Sequence, residues 1–222
     1  MPKLYGRRKG KKLRAHHCAL MAELLPRLAI DLAGAPIAPA ALFGRPYREL
    51  HLEIGFGDGA RLIQRAAENP DAAFIGCEPF VNGVAKALAL IESRRIENVR
   101  LCAGDARELL PLLPDGSFDL VEILYPDPWP KRRQKKRRIV SDDFLDLLAA
   151  KMRPGATLRF ASDDDDYCGW ILARIARGRH FRWIAERPAN WRVPWAGWVS
   201  TRYEAKARAE GRKSSYLTFI RR

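Results

Sequence analysis

The stretch LHLEIGFGDGA, from Leu50 to Ala60, constrains this chain more than any other. A mostly apolar, β-rich run ends in three glycines at alternate positions, Gly55, Gly57 and Gly59, and a helical pattern fills Ala60 to Asn69. Glycine lets the backbone turn tightly and approach a ligand closely, so a strand stops here and a helix begins at once. Further β-rich runs at 73–79, 99–105, 118–126 and 156–162 alternate with helical segments at 84–93, 142–152 and 167–177. Two more β-rich runs follow at 181–186 and 216–221. Strand–helix alternation predicts an α/β fold, a mostly parallel sheet of about seven strands with helices on both faces. In such sheets ligands bind beyond the carboxyl ends of the strands, so the informative residues are those just after each run.

Charge divides the chain unevenly. There are 40 Lys and Arg against 26 Asp and Glu, a net charge of +14. Two acid-free stretches hold the whole excess: Lys3 to Arg14 with seven basic residues, and Lys131 to Arg138 with seven more. Without those fourteen, acids and bases balance at 26 each. Such patches point to an acidic partner and say nothing about fold. Residues 1–17 read as a flexible basic arm, Ala19 to Leu32 as a helix, and Gly34 to Pro46, with three prolines and two glycines, as a linker. The expected organisation is thus an arm, helix and linker over 1–46 and one α/β domain over 47–222.

Several classes drop out. No run of 18 apolar residues exists to span a membrane, and no apolar h-region follows the basic start. Cys18, Cys77, Cys102 and Cys168 are too widely spaced for a zinc pattern and read as reduced cytosolic thiols. The acids Asp163 to Asp166 cannot converge on one ion, and a helix N-terminal cap is the expected role. Trp191, Trp195 and Trp198 are expected to pack a loop onto the sheet.

Three carboxylates stand where a cofactor would lie. Glu53 precedes the glycines by two positions, Glu78 ends the second strand about twenty residues on, and Asp105 ends the third. The string GFGDGA alone fits either an NAD or an S-adenosylmethionine (SAM) site. Acids clustered around a cationic sulfonium and amino group make electrostatic sense, and around a pyrophosphate they do not. Asp127 follows the fourth strand between Pro126 and Pro128, which restrict the backbone on both sides. The basic run begins four residues later, so a fixed acid stands beside a phosphate-binding strip.

The strings EIGFGDG (53–59), PDPWPKRRQKKRR (126–138) and TRYE (201–204), with Lys206 and Gly211-Arg212, resemble the bacterial, TrmB-like tRNA (guanine-N7-)-methyltransferases from about residue 48 onward. The resemblance implies a Rossmann-like class I SAM-dependent methyltransferase fold and methyl transfer to N7 of a guanine in the tRNA variable loop. It implies SAM contacts at Glu53, Glu78, Asp105 and Asp127, with the turn glycines Gly55, Gly57 and Gly59, and catalysis at Asp127. Substrate contacts are implied at Lys131, at Arg133, Gln134, Lys135, Lys136, Arg137 and Arg138, at Asp163, and at Thr201, Arg202, Tyr203 and Glu204. Gln134 stands where the pattern leads one to expect histidine, and Ser162 where threonine is expected. A cytoplasmic monomer or homodimer without metal or membrane contact completes the expectation. Rival readings are methylation of an exocyclic amine, since PDPW also resembles the D/N-P-P-Y/W motif, an NAD-dependent oxidoreductase, and a non-catalytic RNA-binding module.

Overall fold

The computed structural model describes residues 5–33 and 36–222; Lys3 and Gly34 lie outside the described residues. Three short helices come first: α1 (Ala15–Glu23), α2 (Leu25–Leu28) and α3 (Pro39–Phe43). The alternating part then runs β1 (Glu49–Ile54), α4 (Ala60–Glu68), β2 (Ala72–Cys77), α5 (Val81–Arg94), β3 (Val99–Cys102), α6 (Ala106–Leu109), β4 (Phe118–Leu124), α7 (Asp142–Lys151), β5 (Met152–Ser162) and α8 (Asp165–Arg177). It closes with β6 (Phe181–Trp183), α9 (Ala189–Arg192), α10 (Arg202–Ala209) and β7 (Ser215–Arg221). The seven strands form one sheet in the order β3-β2-β1-β4-β5-β7-β6. β1 to β5 are parallel, and β7 runs antiparallel to both β5 and β6.

Every residue of β2 is buried, as is all of β1 after Glu49, which is what a central parallel strand covered on both faces requires. Alternation then assigns the layers. Ala72 and Phe74 pack with Leu62 and Ile63 of α4 and with Val84, Leu88 and Ile91 of α5. Ala73, Ile75 and Cys77 face the other way, toward the cluster holding Phe144 and Leu148 of α7 and Tyr167 and Ile171 of α8. The helices on that side start where the sequence supplies caps: Ser141 Oγ accepts from Phe144 N at 3.2 Å, and Asp164 accepts from Tyr167 N at 2.7 Å. Asp165 and Asp166 fill the first turn of α8, and no metal-holding group of His, Cys, Asp or Glu occurs among the described residues.

The segment before residue 47 differs from expectation in two ways. The single helix expected over 19–32 is two, beginning earlier at Ala15 and interrupted at Leu24, because Pro26 has no N–H to continue the ladder. The basic arm is also bound rather than loose. Val81 N donates to Arg8 O at 3.0 Å, Gly10 N to Asn82 Oδ1 at 2.6 Å, and Asn82 Nδ2 to Lys11 O at 2.7 Å, so the arm is laced to the start of α5. Ile30 and Phe43 enter the core, and Ile30 N donates to Leu101 O on β3. No helix among the described residues is long and apolar enough to cross a membrane.

Candidate active site

A cavity of about 380 Å³ opens beyond the carboxyl ends of β1 to β4. Its walls come from the glycine turn, from Glu78, from Asp105 and Arg107, and from Tyr125 to Asp127; Tyr5 to Arg7 and Tyr203 also line it. A larger, shallower trough of about 750 Å³ lies at the opposite, amino end of β1, β4 and β5. Charges there are matched by ion pairs such as Arg153–Asp119 at 2.7 Å, and it lies at the end of the sheet where parallel α/β folds do not bind ligands.

Gly55, Gly57 and Gly59 all take left-handed φ, at 79°, 62° and 77°. At Gly57 the turn has a second purpose: its N–H donates to Glu78 Oε2 at 2.7 Å. Phe80 N donates to Glu78 Oε1 at 2.9 Å, so two backbone groups orient this carboxylate. Burial raises the Glu78 pKa, the two N–H donors offset part of that, and the Asp127 charge adds to the rise. Each Glu78 oxygen keeps a lone pair for a ligand hydroxyl. Gly83 was not singled out by sequence and is just as constrained. A Cβ there would lie 2.2 Å from the Gly57 carbonyl oxygen, so only glycine lets α5 approach the turn.

Asp105 is the N-cap of α6, accepting from Arg107 N at 2.9 Å, and the Arg107 guanidinium grips both its oxygens from Nε at 3.0 Å. Asp127 follows Tyr125, which holds φ at 50°, and precedes Trp129 at 43°. Two non-glycine residues in the left-handed region store strain of about 1–3 kcal/mol each, sustained only where the surroundings fix them. Tyr125 is fixed by its N–H to Ala161 O at 2.8 Å and its hydroxyl to Ser214 Oγ at 2.8 Å. Asp127 is an exposed residue, yet its carboxylate faces the cavity, where neighbouring atoms strip part of its water and raise its pKa. A Cβ on Gly6 would sit 3.3 Å from Asp127 Oδ2, so the arm passes directly over the carboxylate.

Glu53 does not line this cavity. It lies buried beneath the first glycine, and its Oε2 accepts from Arg61 Nη1 at 3.1 Å. Glu122, its register partner on β4, takes the Arg61 fork at 2.8 and 2.7 Å. Burial pushes the Glu53 pKa up to about 7 despite Arg61. At Glu122 the same burial is outweighed by Arg61, with help from Arg65 and Arg159, and the pKa falls below the ordinary value.

The basic run forms a 3-10 turn over Arg132–Arg137. Lys131, Arg132, Arg133 and Lys136 are exposed, while Gln134, Lys135 and Arg137 are half-buried. Arg137 lies between the rings of Tyr5 and Trp129, at 5.0 and 4.9 Å. Arg138 is buried: it donates to Pro128 O at 2.7 Å, pairs with Asp166 and packs over Tyr167 and Trp170. Lys135 shares Asp166, at 2.6 Å. On the far side, Asp163 pairs with Arg212. Thr201 caps α10 by accepting from Glu204 N at 3.1 Å, and Arg202 is exposed on its first turn. Glu204 has no exposed surface; Trp198 Nε1 and Arg208 Nη2 donate to it at 2.7 Å each, and the Tyr216 hydroxyl donates as well.

Of the residues singled out by sequence, Gly55, Gly57, Glu78, Asp105, Asp127, Arg137 and Tyr203 therefore share one cavity. Glu53, Gly59, Lys131, Arg133, Gln134, Lys135, Lys136, Arg138, Asp163, Thr201, Arg202 and Glu204 do not line it. The cavity residues to which the sequence assigned no site role are chiefly Tyr5 to Arg7, Arg107 and Trp129, although Tyr5-Gly6-Arg7-Arg8 and Trp129 lie in stretches similar to the family.

Residues 47–217 match the family described as "Putative methyltransferase". The chain is 51% identical to the tRNA (guanine-N(7)-)-methyltransferase of Nitrobacter hamburgensis, over 98% of this chain and 86% of that one. It is 52% identical to the enzyme of the same name from Rhizobium meliloti, over 98% and 94%. Among solved structures it resembles the 16S rRNA methyltransferase KamB, with TM-score 0.55 at 18% identity over 82% of this chain and 94% of that one. The 16S rRNA (adenine(1408)-N(1))-methyltransferase from Catenulisporales acidiphilia gives 0.56 at 14% identity, over 86% and 94%. At such identities the structural likeness speaks for the fold, a Rossmann-like methyltransferase sheet.

Proposed function

The chain belongs to the tRNA (guanine-N7-)-methyltransferase family and is an enzyme, and from that premise we propose that it transfers the methyl group of SAM to N7 of the variable-loop guanine of tRNA. The observation that carries this reading is the convergence of Glu78, Asp105 and Asp127 on one cavity, with the half-exposed basic turn entering it at Arg137. An acidic cradle of about 380 Å³ beside close-approach glycines fits a cationic cofactor with a ribose diol. Glu78, with both oxygens oriented by backbone N–H groups, would hold the hydroxyls. Asp105 would meet the adenine amino group from the α6 cap, while Glu53, buried against Arg61, would support the turn from outside the cavity.

SAM held in this cavity would supply a sulfonium methyl to the in-plane lone pair of N7, with the thioether as leaving group and a cationic base as product. N7 carries no proton, so the chain needs no general base. Its task is positioning and charge stabilisation. Asp127 is held between two prolines and two strained residues at the cavity mouth. Its carboxylate is placed to stabilise the positive charge that develops on the base. Tyr203, 60% exposed and lining the same cavity, offers a face on which an unstacked base can rest. Lys131, Arg133 and Lys136 would neutralise phosphates along the approach.

Incubating the protein with methyl-labelled SAM and unmodified tRNA transcripts, then analysing nucleosides, tests the assignment. Label in 7-methylguanosine at the variable loop is expected. Label in an exocyclic amine would move the substrate to the rival chemistry, and absence of label would remove the catalytic reading.

A further inference from the structure

One buried arginine lies behind the cavity and joins a carboxylate of β1 to the segment that carries Tyr203. Arg61 lies on the first turn of α4, 4% exposed, on a helix whose other inward residues, Leu62, Ile63 and Ala66, are apolar. Below it, Glu53, Glu122 and Arg159 stand side by side in register on β1, β4 and β5. Two carboxylates on neighbouring strands would repel each other; Arg61 binds both, with its two-pronged grip on Glu122 and a single bond to Glu53. On its other side its guanidinium carbon lies 5.2 Å from the centre of the Trp198 ring. Trp198 Nε1 in turn holds Glu204 at 2.7 Å, on the turn of α10 that Thr201 caps and that carries Tyr203 into the cavity. The linkage therefore runs Glu53–Arg61–Trp198–Glu204, each member in direct contact with the next.

We propose that Arg61 is a positioning residue that couples the two halves of the site: it holds Glu53 under the cofactor and, through Trp198, holds the Thr201–Glu204 segment toward the RNA. This rests on the reading of Glu53 as a cofactor-side group and of Thr201–Glu204 as a substrate segment. Arg61 does not reach the reacting atoms. Glu122 fixes its fork, which leaves the bond to Glu53 and the stack on Trp198 as its two adjustable contacts. A ligand that shifts Glu53 or the Thr201–Glu204 segment is felt at the other through Arg61 and Trp198, so the second ligand meets a partner already placed by the first. The coupling is reciprocal, because it is a free energy shared by both binding events.

The test is calorimetric titration of S-adenosylhomocysteine into the full-length protein, with and without saturating tRNA transcript. The wild type should bind it about 10-fold more tightly with tRNA present. Arg61→Lys keeps the charge but loses the planar fork and the stacked face. Trp198→Phe keeps a ring beside Arg61, Trp195 and Tyr216 but loses the donor to Glu204 and part of the indole's packing. Each variant should reduce the coupling to within about twofold, while tRNA affinity measured alone, carried mostly by the basic turn, should fall by less than the coupling does. If Arg61→Lys fails to fold, Trp198→Phe decides. Coupling retained in a folded variant, or absent from the wild type, overturns the proposal and leaves Arg61 a neutraliser of buried acids. A wild type that binds tRNA but not S-adenosylhomocysteine would break the cofactor reading, and this inference with it.

Discussion

The proposed cofactor side and the proposed RNA side of the cavity are built by different rules. On the cofactor side, acids end strands and are oriented by the backbone: Glu78 by the N–H groups of Gly57 and Phe80, Asp105 by that of Arg107. Sequence position there translates directly into place, since each acid follows its own strand. On the RNA side, neighbours in sequence part company. Arg133 is exposed, and five residues on Arg138 is buried against Pro128, Asp166, Tyr167 and Trp170. Tyr203 faces the cavity, while the next residue, Glu204, is sealed among Trp198, Tyr216 and Arg208. A charged run or motif can thus be half contact surface and half framework, and only the fold separates the two.

The sharpest test of the cavity is Asp127→Ala. Removing the carboxylate should lower kcat about 100-fold or more, while SAM affinity falls less, since the loss is mostly of stabilisation in the transition state. Single-turnover methylation checks it; turnover near wild type would strip Asp127 of its role. Next is Arg138→Ala, which removes a buried guanidinium with a carbonyl acceptor, a carboxylate partner and two aromatic faces. It should cost roughly 2–3 kcal/mol of stability and lower Tm by several degrees. A variant with unchanged Tm and weakened tRNA binding would return Arg138 to the phosphate strip.

A third test concerns the buried acids on β1 and β4. Glu53 carries a pKa of about 7 in the folded chain against an ordinary 4.5. Between those values the folded state keeps a proton that the unfolded state has lost, so this group makes stability fall as pH rises toward 7, and levels off above it. The lowered pKa of Glu122 acts oppositely, with stability present above the ordinary value and lost in acid. Between about pH 6 and 8 the Glu53 contribution is on the order of 1 kcal/mol. Glu53→Gln should flatten the Tm profile over that window, and an unchanged profile would show Glu53 to be ionised throughout.

The mostly parallel sheet of seven strands and the place of the cavity were legible because they follow from alternation and from glycines at strand ends. Glu78, Asp105 and Asp127 were legible for the same reason. The strand order was not, because alternation does not say which strands become neighbours. The arm was not either. Nothing in Tyr5-Gly6-Arg7-Arg8 shows that it binds the start of α5 and crosses Asp127, because the contacts are to backbone and to Asn82, about seventy residues away. Arg61 was hidden differently. A basic residue on the buried face of α4 breaks the apolar pattern, and that break is a signal only when Glu53 and Glu122 are known to lie in register beneath it.

The smallest effect bears most directly on the contrast within the basic run. Arg133 is exposed and takes no part in the core, so Arg133→Ala should leave Tm unchanged. What it should change is the response of tRNA binding to salt. A side chain that neutralises one phosphate contributes about one unit to the log–log slope, and removing it should lower that slope by about 0.7–0.9 with a severalfold loss of affinity at low salt. Titrations at three or more salt concentrations, run beside Arg138→Ala, measure both quantities. An unchanged slope would remove Arg133 from the contact surface and leave Lys131, Arg132 and Lys136 as the exposed cations of that turn. A slope lowered by Arg138→Ala as much as by Arg133→Ala would erase the distinction between framework and contact surface along the run.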